Sequence, residues 1–238
     1  MRRSLLPTFA GLLAALPVAA LAQDGADDGW GAPAARDAWS FAVGAGTDNR
    51  SKGASKTDGD PFAYALAEWA PSDTFYVSGE VERVDSHGAD AELGLTIGVR
   101  PQAAGFDLDL SVARKHLIDA APGADDGAWE LTAVARRSLG PASARLTAAW
   151  SPDGLGPTDD WTWIEGQLGW DLTPRLNASA AVGRREQDGG VDYTAWNIGT
   201  TFALTRDLEL DVRWYDTSER DLSVQYDSAL VAAVNFYF

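Results

Sequence analysis

The stretch YDSALVAAVNFYF, residues 226–238, decides the fold. Every second residue counted back from its end, Phe238, Phe236, Val234, Ala232 and Leu230, is apolar. The other phase, Tyr237, Asn235, Ala233, Val231, Ala229 and Asp227, is mixed. Period-two alternation is the mark of a β-strand with one apolar and one more polar face. Its length suits a tilted strand crossing a bilayer. The last strand of a soluble barrel or sandwich would alternate in the same way, so the other strands must decide between them.

They repeat the pattern. From Ala38 onward the sequence predicts strands at about 38–46, 62–70, 74–84, 91–100, 105–114, 128–138, 142–150, 161–172, 175–185, 192–204 and 207–216, with 226–238 as the twelfth. The fourth is typical: Ala91, Leu93, Leu95, Ile97 and Val99 alternate with Glu92, Gly94, Thr96, Gly98 and Arg100. The second is irregular, since Phe62, Tyr64 and Leu66 share one phase while Trp69 falls in the other, which reads as a shifted register or a bulge. Five connections are tight (near 71–73, 101–104, 139–141, 173–174 and 205–206). Those between them, 47–61, 85–90, 115–127, 151–160, 186–190 and 217–225, are mostly longer and polar. Alternating short and long connections, an even strand count and charges opposite an apolar face predict an all-β, transmembrane, antiparallel up-and-down barrel of about twelve strands. Such a barrel meets lipid outside and water inside, and leaves no unpaired edge. Trp39, Trp69, Trp129, Trp150, Trp170, Trp196, Trp214 and Phe238 are candidates for aromatic girdles at the two interfaces.

The first 22 residues read as a cleaved secretory signal: Arg2 and Arg3, an apolar run from Leu5 to Leu21, then Ala20-Leu21-Ala22 before Gln23. Residues 23–37 read as a flexible periplasmic lead-in, leaving 38–238 as the barrel of a Gram-negative outer membrane. Without the two signal arginines, 17 of the 19 basic residues remain against 35 acids, a formal charge of −18. That excess argues against nucleic-acid partners. Zero Cys excludes thiol catalysis, Cys-type zinc sites and iron–sulfur clusters, and no cofactor is expected.

Thr47-Asp48-Asn49-Arg50-Ser51-Lys52-Gly53, then Asp58-Gly59-Asp60-Pro61, then a strand, resembles the N-terminal hallmark of the TorF-type porins, the proteobacterial Gcw_chp family. The resemblance covers the first hairpin well and the remainder by architecture. It implies an outer-membrane barrel with a porin role and brings no agreed substrate and no catalytic residues. The closing strand that ends in Phe238 is similar to the signature by which outer-membrane barrels are recognised for insertion. It implies the insertion machinery as a partner, beside outer-membrane lipid and lipopolysaccharide. Read physically, the first loop carries Arg50, Lys52 and Lys56 with Asp48, Asp58 and Asp60, and it either folds inward as a constriction or braces the outer rim.

The strand registers turn Glu80, Glu82, Glu92, Asp107, Asp109, Glu130, Glu165, Glu209 and Asp211 inward, together with Arg100, Arg136, Arg145, Arg185 and Arg213. Rings of charge set pore selectivity, and the acid excess predicts a preference for cations. The same groups could instead pair across strands and plug the lumen, because twelve strands lie between a filled eight-stranded barrel and an open sixteen-stranded one. A structural or surface barrel without transport is therefore the second class. A lipid-acting enzyme is the third, and His87 and His116 lie in no recognisable Ser–His arrangement. Asp125-Asp126, Asp159-Asp160 and Asp188 put carboxylates in the outer loops, either as divalent-cation ligands or as a solvated acidic rim.

Overall fold

In a computed structural model, which describes residues 39–238, twelve long strands follow one another. They are β1 (Trp39–Gly46), β2 (Phe62–Trp69), β3 (Phe75–Ser86), β4 (Ala89–Val99), β5 (Phe106–Ile118), β6 (Gly127–Leu139), β7 (Ala142–Ser151), β8 (Trp161–Thr173), β9 (Leu176–Gln187), β10 (Tyr193–Ala203), β11 (Leu208–Thr217) and β12 (Ala229–Tyr237). Each pairs antiparallel with its sequence neighbours, and β1 pairs with β12, so the sheet closes on itself. Beyond the last strand residue, Phe238 and Phe41 exchange both backbone hydrogen bonds, at 2.8 and 3.0 Å. The signal and lead-in predicted from the sequence lie outside the described residues.

The burial pattern is inverted relative to a soluble protein. Leu168, Ile198 and Leu230 are 69, 61 and 70 % exposed, whereas Glu68, Glu82, Glu92, Glu130 and Glu165 are at most 5 % exposed. Each large apolar side chain left facing water would forgo roughly 1.5–3 kcal/mol. The outer face therefore suits hydrocarbon and the inner face carries the polar groups. Outward aromatics gather at both rims. Trp39, Trp69, Trp170 and Phe238 lie at the rim of short turns, while Trp129, Trp150, Trp196 and Trp214 lie towards the other. All of these are exposed except half-buried Trp196.

Three expectations are corrected. First, β2 has no bulge: it pairs residue for residue with β1 and β3. Its aromatic phase simply faces inward, with Phe62 and Leu66 buried, and Trp69 faces out. Leu66 packs there on Ala42, Tyr64 and Tyr237, so apolarity alone misleads where the lumen itself holds a greasy patch. Second, residues 85–90 are no long loop. The strands run on to Ser86 and Ala89, and His87-Gly88 alone turns the chain, with φ of 53° and 81°. Two positive φ values in a two-residue hairpin loop make a type I′ turn, which His-Gly supplies. Third, β5 continues to Ile118, so Lys115 is a strand residue in the lumenal phase.

Candidate functional site

The first loop, residues 47–61, folds into the barrel. Its local chemistry explains how. Arg50–Ser51 pairs with Ala54–Ser55 as a miniature hairpin, whose tip, Lys52-Gly53, has φ of 52° and 82°. Asp58-Gly59 repeats the device with φ of 52° and 86°. Glycine at 53 is also required by space, because a Cβ there would collide with that of Ala195 on β10. Asp48 ties the loop to itself. One of its oxygens accepts from Ser55 Oγ (2.5 Å) and Thr57 Oγ1 (3.2 Å), the other from Arg50 Nε (2.5 Å). Arg50 donates onward to the carbonyl of Asp227 at 2.8 Å, joining the loop to the segment before β12. Arg50 braces the rim, and Lys52 and Lys56 reach inward.

Those two lysines meet a wall of carboxylates on β3, β4 and β6. Lys52 Nζ lies 3.1 Å from Glu130 and 4.5 Å above the Trp161 ring, while Tyr193 Oη donates to the Lys52 carbonyl at 3.1 Å. Lys56 pairs with Glu82, and with Glu92 at 2.8 Å. Asn49, fully buried, donates to Glu82 at 2.7 Å. Lys115 completes the cluster between Glu92 (3.7 Å) and Glu130 (3.2 Å). A cavity of about 20 Å³ remains against this wall, lined by Glu80, Glu82, Glu92, Lys115 and Glu130 among others. On this measure one water needs roughly 10–15 Å³, so the loop leaves little free space there.

The two loop lysines differ in their electrostatics. Burial lowers the Lys52 ammonium from 10.5 to about 8, with Glu130 opposing and Lys115 and Arg185 adding to the fall. Burial acts on Lys56 in the same sense, but Glu82 and Glu92 outweigh it and hold its pKa above the ordinary value. A pH dependence follows for Lys52. Its folded-state value lies below its unfolded one, so the unfolded chain binds more protons between about pH 8 and 10.5, and stability rises with pH across that window. Urea unfolding at pH 7 and pH 10 should show the wild type gaining on K52Q at the higher pH. A constant difference between the two proteins would refute the assignment.

Two further networks lie on the lumenal face. Arg100 makes a two-pronged contact with Glu68 (3.0 and 2.6 Å), reaches Asp109 at 3.4 Å and lies 3.7 Å above the Tyr76 ring. Tyr76 Oη donates to the other Asp109 oxygen at 2.9 Å. Gly98 makes room for this stack, since a Cβ there would overlap the Tyr76 ring. On the opposite arc Arg213 donates to Asn197 (2.8 Å), Ser179 (2.9 Å) and Asp211 (3.3 Å).

All the inward-assigned acids and arginines sit in the lumenal phase of their strands, but they are engaged unequally. Glu82, Glu92, Glu130, Arg100, Asp109, Asp211 and Arg213 belong to the three networks. Asp107 is exposed and accepts from Gln102 at 2.9 Å. Arg185 lies over Trp161 at 4.3 Å. Among the described residues, Glu80, Arg136, Arg145, Glu165 and Glu209 make no ion pair. Nε of Arg145 and one carboxylate oxygen of Glu209 lack any hydrogen-bond partner. Of the other first-loop residues, Asp60 lies 3.5 Å from Arg83, and the Pro61 carbonyl accepts from Arg83.

Sequence reasoning missed Glu68, Lys115, Trp161 and Trp163. Glu68 shares a phase with Phe62, Tyr64 and Leu66, so its own strand gives no sign that this phase is the polar one. Lys115 stood one residue past the expected strand end. Ser86 Oγ does lie 2.8 Å from His87 Nδ1, but the pair is a contact of adjacent residues at an exposed turn, and no described carboxylate orients the imidazole. Among the described residues no three carboxylate or imidazole groups converge as metal ligands.

A closed antiparallel barrel, apolar outside and charged within, is the architecture of an outer-membrane barrel. Solved outer-membrane porins share it. The KdgM porin superposes with a TM-score of 0.58 at 8 % identity, over 84 % of this chain and 99 % of that one. KdgM in complex with disordered oligogalacturonate gives 0.57 at 9 % identity over 84 % and 99 %, and the NanC porin 0.55 at 6 % over 83 % and 97 %. At such identities the likeness is one of fold. By sequence no curated protein matches. Residues 32–235 match the family described as bacterial protein of unknown function (Gcw_chp), and the chain belongs to that family.

Proposed function

We propose that this protein is a channel of the Gram-negative outer membrane, of the TorF type, through which small polar solutes or ions diffuse passively, with a preference for cations. The observation that carries the reading is the inward first loop. A charged segment held by Lys52 and Lys56 in the lumen of a lipid-facing barrel narrows a path in the way a selectivity constriction does. The excess of inward acids, Glu80 at the residual cavity among them, supports the cation preference where those acids are ionised. The role is transport, not catalysis. A second reading, a closed barrel of structural or surface role, is favoured by the small volume left beside the loop.

Single-channel recording of the refolded protein in a planar bilayer, under a salt gradient, separates the two. The channel reading expects steady conductance with a cation-selective reversal potential that moves towards zero in E80Q. A sealed bilayer, with folding verified by heat-modifiable migration, would support the closed barrel instead. Glu80 is the better test than Glu82 or Asp109, whose removal would also release Lys56 or Arg100.

A further inference from the structure

Arg136 on β6 and Arg145 on β7 stand directly opposite each other, and both face the lumen. Like charges in facing positions of a sheet repel, and proteins ordinarily place an acid between them. Here none comes within ion-pair distance among the described residues. Three acids on the neighbouring strands act on the pair from beyond ion-pair distance. Asp107 faces Arg136 from β5 but is exposed and takes its hydrogen bond from Gln102. Glu165 faces Thr147, one lumenal position beyond Arg145. Asp109, further along β5, is already held by Arg100 and Tyr76. Arg145 Nε is buried without a partner, and so is the hydroxyl of Thr147, the next lumenal residue on the same strand. Both arginines are half-buried as residues.

We propose that Arg136 and Arg145, with Thr147, form a binding point for the carboxylate of a small organic anion passing through the lumen. Two guanidiniums offer planar, fixed donors matched to a carboxylate's two oxygens. An unpaired, preorganised donor set gains from the anion what it lacks in its absence. The site deepens the channel reading, on which it rests: bulk selectivity is set by the acidic wall, while this point gives saturable affinity for one class of solute.

The test is calorimetric titration of the folded, detergent-solubilised protein with succinate, which reads binding whether or not the barrel conducts. Saturable binding is expected, weakened about tenfold or more in R136Q and in R145Q, as loss of a charge-assisted hydrogen bond implies. It should be unchanged in R184Q, where the exposed arginine is already 3.5 Å from Asp192. R145K, which keeps the charge but not the fork, should fall between wild type and R145Q and serves if the glutamine variant fails to fold. No saturable binding to the wild type, or equal binding by all the variants, overturns the proposal. Absence of conductance in the bilayer with succinate binding intact would overturn the channel reading and leave the anion site standing.

Discussion

Replacing Lys52 and Lys56 together with glutamine should raise the single-channel conductance by roughly threefold or more, the expected consequence of widening the narrowest section of a barrel of this size. The two side chains are the charged inward anchors of the first loop, one on Glu130 and the other on Glu82 and Glu92, beside the neutral ties of Asn49 to Glu82 and of Tyr193 to the Lys52 carbonyl. With both neutral, the loop keeps its own fold through Asp48 and its rim tie through Arg50, but the ion pairs that draw it against the wall are gone. Glu92 and Glu130 retain Lys115. Glu82 keeps the Asn49 amide and loses its cation, so cation selectivity should increase with conductance. A closed wild-type barrel would respond in the same direction, from sealed to conducting. Unchanged conductance in a correctly folded variant would mean that the loop does not limit the path. High salt offers an orthogonal check: the lumenal pairs are sheltered, so raising ionic strength should open the wild type far less than the double substitution does.

How much of this was legible in the sequence depends on which alternation carried it. On β4 the outward phase is apolar from Ala91 to Val99 and the inward phase is acid, threonine and glycine, so facing followed from the pleat alone. On β2 it did not, because Phe62, Tyr64 and Leu66 face a lumenal patch shared with Tyr237, and the outward phase is mostly alanine. A period-two pattern gives the phases and not which of them is wet. The first loop was legible as a charged, glycine-bearing hallmark, and its direction was not. That direction depends on Gly53 fitting against Ala195 and on Glu82, Glu92 and Glu130, which lie 26 to 78 residues beyond the lysines that meet them. The lumenal charges could be assigned to a face one by one, whereas their pairing required the cross-strand register. Arg136 and Arg145 read as two ordinary inward arginines until the sheet set them face to face.

R100Q should destabilise the barrel by about 3–5 kcal/mol, the range for breaking a buried ion pair by removing one partner. Arg100 is the only cation among the described residues within ion-pair distance of Glu68, itself 1 % exposed, and of Asp109. Its loss leaves both carboxylates without a cation, and of the two Asp109 keeps the hydrogen bond from the Tyr76 hydroxyl. The Tyr76 ring also loses the guanidinium stacked on it. The same chemical change at position 145 should have the opposite sign. R145Q removes a charge that has no ion partner and that repels Arg136 across the ladder, so its unfolding midpoint in urea, in the absence of organic anions, should equal or exceed that of the wild type. Added succinate should stabilise the wild type and R100Q and leave R145Q nearly unmoved, since only a ligand bound to the folded state shifts the midpoint. Two lumenal arginines on the same barrel thus separate by sign: one holds the wall together, and the other is retained at the expense of stability, which is the pattern of a group kept for what it binds. Equal destabilisation by both substitutions, with no effect of succinate, would make Arg145 another structural charge and remove the reason for treating it apart.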